Sequence, residues 1–234
     1  MSADGKRRAV LPAFQLWLTA LAAVAAVISL FHTPYPELAP LQNLPTLAVL
    51  AGLAAALRRW PMSNGAVFCI VLFLLLHTLG GRYIYSYVPY DDWVRTLGLP
   101  APGDLLGLKR NSYDRFVHFA FGLLLVPPIA EWLARHGGVR SGLALYIAVE
   151  FIFAASALYE IFEWGLTIIM AGQADDYNGQ QGDIWDAQKD MACAACGAVL
   201  AALVLKLRNR ATPGKAPPEQ QELVDSGLTM SGEP

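Results

Sequence analysis

The chain has few charged residues. Only 15% of its 234 residues are Asp, Glu, Lys or Arg, against 55% that are hydrophobic. The apolar residues come in long blocks instead of the short amphipathic stripes of water-soluble helices. This composition excludes an ordinary soluble domain and predicts an all-α, polytopic membrane helix bundle. At about 20 residues per span, six spans occupy roughly half of the chain and leave no room for a separate soluble domain.

A basic stripe and a complete H-E-x-x-H zinc signature are also missing. The net charge is -2 and no basic stripe lies outside the loops and the tail, so no nucleic-acid partner is predicted. The three cysteines all lie in apolar runs, and Cys193 and Cys196 form a C-x-x-C among alanines. Without a neighbouring βαβ pattern, this spacing indicates small packing residues.

Six apolar runs predict about six transmembrane helices. The first is longer than the apolar core of about 7 to 15 residues in a cleaved signal peptide, so we expect an uncleaved span. Pro127 and Pro128 predict a kink in the fourth span. The predicted domains are a cytoplasmic N-terminal tail at 1–8, a six-helix membrane domain at 9–207 with an extracytoplasmic loop at 81–113, and a disordered cytoplasmic tail at 208–234. The predicted spans are 9–31, 41–57, 64–79, 114–135, 143–170 and 184–207.

Basic residues predict the orientation of these spans. If the N-terminus is inside, the inner side holds eleven of the 17 basic residues and the outer side holds six. The positive-inside rule then places both termini in the cytoplasm. In a bacterium, this describes a multi-pass protein of the inner (plasma) membrane whose 81–113 loop is extracytoplasmic. The eleven inner residues are Lys6, Arg7, Arg8, Arg58, Arg59, Arg135, Arg140, Lys206, Arg208, Arg210 and Lys215.

Ionisable side chains collect at the predicted outer ends of the last three spans. Asp114 and His118 are four residues apart and therefore share one face of a helix. A charged group at membrane depth costs at least about 2.5 to 3.5 kcal/mol on insertion scales, so such groups should face the bundle interior and find partners. We therefore expect one polar site at the outer membrane surface. Its acidic and imidazole groups are Asp114, His118, Glu160, Glu163, Asp183, Asp186 and Asp190.

So many carboxylates need compensation by nearby cations, by protons or by a metal ion. Carboxylates and an imidazole are suitable ligands for Mg²⁺, Mn²⁺ or Zn²⁺, so a divalent metal is the candidate cofactor. The predicted catalytic groups are Asp114, His118, Glu160 and Glu163. The predicted metal ligands are Asp183, Asp186, Asp190, His118 and Glu163. The predicted substrate-binding residues are Arg110, Asn111, Tyr113, Arg115, Tyr159, Trp185 and Gln188.

Most of these groups also have a structural interpretation, but helix capping leaves Asp190, two turns into the last span, unexplained. Arg110, Asp114 and Arg115 can form an ion-pair cluster, His118 can be a hydrogen-bonded core residue, and Asp183 can cap a helix. Three functions stay open. The first is an envelope enzyme or binder for an anionic lipid or cell-wall intermediate, the second a proton-coupled transporter that uses Glu150, and the third a structural or partner-binding protein.

The three motifs together resemble a known family. R-N-S-Y-D-R-F-V-H-F, Y-E-I-F-E-W and Q-G-D-I-W-D-A-Q-K-D-M-A occur in this order on consecutive apolar spans. In this respect residues 60–207 resemble the YjdF-like bacterial inner-membrane proteins. The resemblance implies a small multispanning inner-membrane protein and implies no substrate.

A fainter similarity links the chain to the VanZ-like membrane proteins. In that family, an Asp-Lys/Arg and His pair opens one helix, a Glu lies near the end of another, and an Asp leads the last. Asp114, Arg115 and His118 match the first element, whereas Trp164 stands where that family usually carries an amide. The remaining matches are Glu160 or Glu163, and Asp186 or Asp190 with Gly197. The similarity implies chemistry at the cell envelope.

Overall fold

The structure is a computed structural model that describes residues 10–170 and 181–211, and within these ranges it contains helices and no strand. The predicted tail at 1–8 and the residues beyond 211 lie outside the described residues, while the last helix continues past residue 207 to Ala211. The eight helices of the described ranges are α1 (Ala13–Ser29), α2 (Ala39–Arg59), α3 (Asn64–Arg82), α4 (Tyr90–Thr96), α5 (Pro102–Leu106), α6 (Tyr113–Arg135), α7 (Ser141–Met170) and α8 (Asp186–Ala211).

Five of these helices, α2, α3, α6, α7 and α8, are long and apolar enough to cross a membrane. The helix α1 is also apolar but has 17 residues, so it measures about 25 Å, near the short limit for a span. The predicted polytopic helix bundle is therefore confirmed. The described residues up to Ala202 form one compact unit, which contains every contact described below, and the described residues from Leu203 to Ala211 belong to a second unit.

The helices α1, α2 and α3 pack against one another, α3 packs on α6, and α6 packs on α7. Ala22 and Ala26 of α1 are almost completely buried in this packing, and short side chains allow neighbouring helices to approach one another. Prolines 127 and 128 lie inside α6, which stays helical through both of them to Arg135. The buried core of the first three helices consists of Ala22, Ala26, Leu50, Leu57, Val67, Val71 and Leu74.

Two glycines bring α6 and α8 into backbone contact. A Cβ atom built on Gly122 would collide with the carbonyl oxygen of Ala194, and one built on Gly197 would collide with the carbonyl oxygen of Phe119. Only glycine leaves space for this approach of two helix backbones. The crossing sets the distance between the N-terminal turns of α6 and α8, where most of the predicted site residues lie.

The connection between α3 and α6 packs over the ends of both helices. Val88 is fully buried, and its carbonyl oxygen accepts a hydrogen bond from Asn111 Nδ2 at 2.8 Å. The Tyr90 hydroxyl accepts a hydrogen bond from the Ser112 backbone at 3.0 Å, and the Tyr113 hydroxyl donates one to the Leu76 carbonyl at 2.9 Å. These bonds hold the residues just before α6 in place, and Arg110 is one of them.

Candidate functional site

Two arginines of the α6 motif form ion pairs with the start of α8. Arg110 pairs with Asp186 through Nη1, and its Nη2 lies 3.4 Å from Asp186 Oδ2. Arg115 Nη2 donates to Asp186 Oδ1 at 2.9 Å and to Asp183 Oδ2 at 2.6 Å. Because Asp186 is only 3% exposed, its charge is desolvated and these two guanidinium groups stabilise it.

Asp183 precedes α8 and binds at the rim of this arginine cluster. Its Oδ2 accepts from Lys189 Nζ at 2.6 Å, and its Oδ1 accepts from the Trp185 backbone at 3.1 Å. The hydrogen bond from Lys189, followed by those from Arg115 and the Trp185 backbone, holds the pKa of Asp183 well below its usual value. Asp183 is therefore ionised, and its contacts hold the residues just before α8 in place beside Arg115 of α6.

A second cluster lies deeper, between α6, α7 and α8. His118 Nε2 is 3.7 Å from Asp114 Oδ1 on its own helix and 3.6 Å from Glu160 Oε1 on α7. One ligand atom each of Asp114, His118 and Asp190 lies within 4.8 Å of the others, and all three residues are buried. We call Asp114, His118, Glu160 and Asp190 the inner cluster.

The inner cluster contains polar atoms without hydrogen-bond partners. Among the described residues, Glu160 Oε1 and Asp190 Oδ1 are buried and accept no hydrogen bond. The nearest cation to Asp190 is Arg115, whose Nε is 3.8 Å away and is itself without a hydrogen bond. A buried carboxylate oxygen normally has a partner, and the described residues do not supply a hydrogen-bond donor to either of these two oxygens.

The charges of the two clusters do not balance. Four carboxyl groups of the site are at least nine-tenths buried, and the two arginines are the cations in contact with them. Lys189 contacts the less buried Asp183 instead. If all four carboxyl groups were ionised, two negative charges would stay uncompensated, which is what two protons or one divalent cation supplies. The four are Asp114, Glu160, Asp186 and Asp190.

The other predicted site residues have different surroundings. Asn111 Oδ1 accepts from the Tyr113 backbone at 3.0 Å, so its side chain caps the first turn of α6. Tyr159 packs edge-on against the His118 ring, and Glu163, one turn on, is half-buried and hydrogen-bonded to Tyr159. Trp185 and Gln188 are exposed, and the structure does not bring them to the inner cluster.

The structure adds residues that the sequence did not single out as site residues. A cavity of about 410 Å³ begins at Asp114 and His118 and extends between α2, α3, α6 and α7. His77 and Tyr85, which hydrogen-bond to each other, and Ser156, whose buried Oγ has no partner in the described part of the chain, also line it. The sequence could have indicated Ser156, because it lies one helical turn before Glu160 and therefore on the same face of α7.

Comparisons with known proteins agree with this architecture. A family model described as "Predicted membrane protein (DUF2238)" matches residues 14–211. The chain is 35% identical over 162 residues to "Inner membrane protein YjdF" of Escherichia coli (strain K12), which covers 69% of this chain and 74% of that protein. No solved structure matches the chain. The resemblance to YjdF-like proteins and the multi-pass inner-membrane localisation are thus confirmed, whereas the similarity to VanZ-like proteins stays a prediction. The chain belongs to the DUF2238 family of membrane proteins, which is the family that its three polar motifs indicated.

Proposed function

We propose that this inner-membrane protein binds a divalent cation at the inner cluster and uses the cation to hold an anionic, phosphate-bearing envelope lipid or cell-wall intermediate. The proposed metal ligands are Asp114, His118 and Asp190. The observation that supports the proposal is the close approach of three buried ligand atoms, one from each residue, within 4.8 Å of one another.

The ligand set suits a metal ion of moderate hardness. Two carboxylates and one imidazole are ligands that Zn²⁺ and Mn²⁺ accept, and three protein ligands leave positions open for substrate or water. In tetrahedral geometry, ligand atoms about 2.1 Å from one ion are about 3.4 Å apart, so ligand atoms that lie within 4.8 Å of one another must approach each other by up to about 1.4 Å to bind the ion. The oxygen of Asp190 that accepts no hydrogen bond is then available to the ion.

The arginines support a metal as the source of positive charge. Arg110 and Arg115 were predicted to hold the anion, but both already form ion pairs with Asp186. An anion that approached either arginine would also approach the negatively charged carboxylate of Asp186. A divalent ion at the inner cluster instead compensates the excess of buried carboxylates and leaves its open positions for phosphate oxygens.

The two alternatives have less support in the described residues. A proton-coupled carrier needs ionisable groups that continue to the opposite membrane face. Glu150 is exposed, and Glu131 accepts hydrogen bonds from Ser63 near the start of α3, so neither residue extends the inner cluster. A purely structural cluster would not explain why Glu160 and Asp190 both leave a buried oxygen without a hydrogen bond.

Metal binding to purified protein in lipid nanodiscs tests the proposal. Stripped protein is titrated with Mn²⁺ and with Zn²⁺, and bound metal is measured by mass spectrometry and by the Mn²⁺ electron paramagnetic resonance signal. We expect one ion per chain, and we expect Asp190→Asn and His118→Ala to weaken its binding by about 100-fold or more, because each removes a direct ligand. Glu150→Gln, which removes an exposed carboxylate from α7, is the matched control and should bind like the wild type.

Substoichiometric binding, or equal binding by Asp190→Asn and Glu150→Gln, would overturn the proposed metal site. The anion is tested separately with vesicles that contain phosphatidic acid or only zwitterionic lipid. After lipid exchange with these vesicles, metal-loaded protein should retain phosphatidic acid in preference to zwitterionic lipid. Metal-stripped protein should show no such preference. Equal retention by both forms would refute the role of the metal in holding the phosphate.

A further inference from the structure

The cavity below the inner cluster changes in character along its length. Its outer end is polar, with Asp114 and His118 on α6 and Tyr159 on α7. Deeper in the bundle its walls are almost entirely hydrocarbon. These apolar walls are formed by Val49, Ile70, Phe73, Phe121, Leu125 and Ala155. A site with one polar end and an apolar body is suited to an amphiphile that lies lengthwise.

The cavity opens sideways. Its lining includes residues of α2 and α7, yet among the described helices these two do not pack against each other. Val49 lines the cavity and is still 52% exposed. Because Val49 lies in the middle of the membrane helix α2, its exposed surface faces the hydrocarbon of the bilayer and not water. The opening between α2 and α7 is therefore accessible from the lipid phase.

The depth of the cavity matches one leaflet. Its lining on α6 runs from Asp114 to Leu125, eleven residues along the helix axis. At 1.5 Å per residue this is about 16 Å, which is close to half of a hydrocarbon core of about 30 Å. A volume of about 410 Å³ over this length is narrow and falls at the small end of ligand pockets. These dimensions suit one hydrocarbon chain.

We infer that the cavity between α2, α3, α6 and α7 binds a single hydrocarbon chain of a membrane amphiphile, which enters through the opening at Val49 and places its phosphate head at the inner cluster. The inference deepens the proposed function and rests on it only for the head group. The apolar walls, the lateral opening and the depth support the chain site without reference to a metal.

The chain site is tested with a photoactivatable single-chain glycerophosphate that carries a diazirine near the middle of its acyl chain. The full-length protein in nanodiscs is irradiated and the modified peptides are identified. We expect labelling on α2, α6 and α7 near Val49, Leu125 and Ala155. Ala155→Phe should fill the cavity and reduce this labelling by about tenfold or more. Ala154→Phe is the matched control, because Ala154 is exposed on the outer side of the same helix.

A second variant protects the test against loss of folding. Val49→Trp blocks the opening at a position that is already half exposed, so it should fold and should also reduce the labelling about tenfold. Each variant is scored only as folded, monodisperse protein. The chain site is refuted if both blocking variants are labelled as strongly as Ala154→Phe. If Ala155→Phe does not fold, equally strong labelling of Val49→Trp alone refutes it.

Further arms separate this inference from the proposed metal site and identify the source of the phosphate. Asp190→Asn should lose metal and keep mid-chain labelling, so failure of the metal site leaves the chain site testable. Competition by an isoprenyl monophosphate or by phosphatidic acid then shows which kind of lipid occupies the cavity. Competition by inorganic phosphate shows whether the head group binds without a chain. Displacement of the probe by inorganic phosphate as effectively as by the two lipids would contradict a chain site.

Discussion

Substituting Gly197 by alanine tests the α6–α8 crossing on which the inner cluster depends. The added Cβ would collide with the Phe119 carbonyl oxygen and would lie 2.8 Å from the backbone nitrogen of Leu123. Comfortable contacts begin near 3.5 Å, so the helices must separate by at least about 0.7 Å. Overpacking costs about 1 to 3 kcal/mol, and we expect the upper half of this range because both neighbours are backbone atoms of a helix that cannot rotate away.

The matched control is Gly165→Ala on α7, where nothing lies within 4 Å of the position of the new Cβ. An alanine within an open helix surface stabilises the helix by up to about 1 kcal/mol relative to glycine. The same chemical change should therefore have opposite signs at the two positions and differ by about 3 kcal/mol. Gly122→Ala should behave like Gly197→Ala, since its Cβ would meet backbone atoms of Ala194 and Ala198.

The free energy of unfolding is measured by SDS titration in mixed micelles, followed by tryptophan fluorescence. Equal midpoints for Gly197→Ala and Gly165→Ala would show that α6 and α8 are not in backbone contact. Metal affinity is a second readout. Asp190 lies two turns before Gly197, so separation of the helices should also move its carboxylate from His118 and weaken metal binding.

Three further predictions concern the polar groups and the orientation. Arg115→Met should destabilise the protein by about 3 to 5 kcal/mol, because it leaves buried carboxylates uncompensated, whereas Arg95→Ala in α4, whose ion pairs are exposed, should have a much smaller effect in the same SDS titration. The lowered pKa of Asp183 means that its ion pairs stabilise the fold above its usual pKa of about 3.9 and are lost only as the pH falls below that value. Stability measured from pH 7 to pH 5 should thus be the same in Asp183→Asn as in the wild type apart from a constant offset, and a pH-dependent difference in this window would contradict the assignment. In intact cells permeabilised only at the outer membrane, Leu105→Cys should react with a membrane-impermeant maleimide and Trp60→Cys should not, and the reverse pattern would invert the predicted orientation.

Helix ends show where sequence patterns reach their limit. The third span was expected to end at residue 79, before two glycines, but α3 continues to Arg82. There Gly81 packs against Gln42 of α2, and the Arg82 guanidinium donates to the carbonyl oxygens of Ser29 and Phe31 at the end of α1. Contacts between helices thus outweigh the low helix propensity of glycine, and a single-sequence pattern contains no information about them.

The division of the polar residues was equally beyond the sequence. Helical periodicity placed Asp186 and Asp190 near one face of a helix, and both were predicted to be metal ligands. In the structure Asp186 pairs with Arg110 and Arg115, whereas Asp190, one turn deeper, lies beside Asp114 and His118. Helical spacing defines a face, but the depth at which a second helix crosses it decides which cation or imidazole each carboxylate meets.

The sequence by itself determined that this chain is a membrane helix bundle with ionisable groups at one end of its last three spans. It could do so because the cost of placing polar groups in hydrocarbon acts on each helix separately and leaves a periodic record. Only the tertiary structure decided that Gly122 and Gly197 bring α6 and α8 into contact and that a narrow apolar cavity lies beneath His118. Both features depend on the distances between helices, which packing of the whole bundle sets.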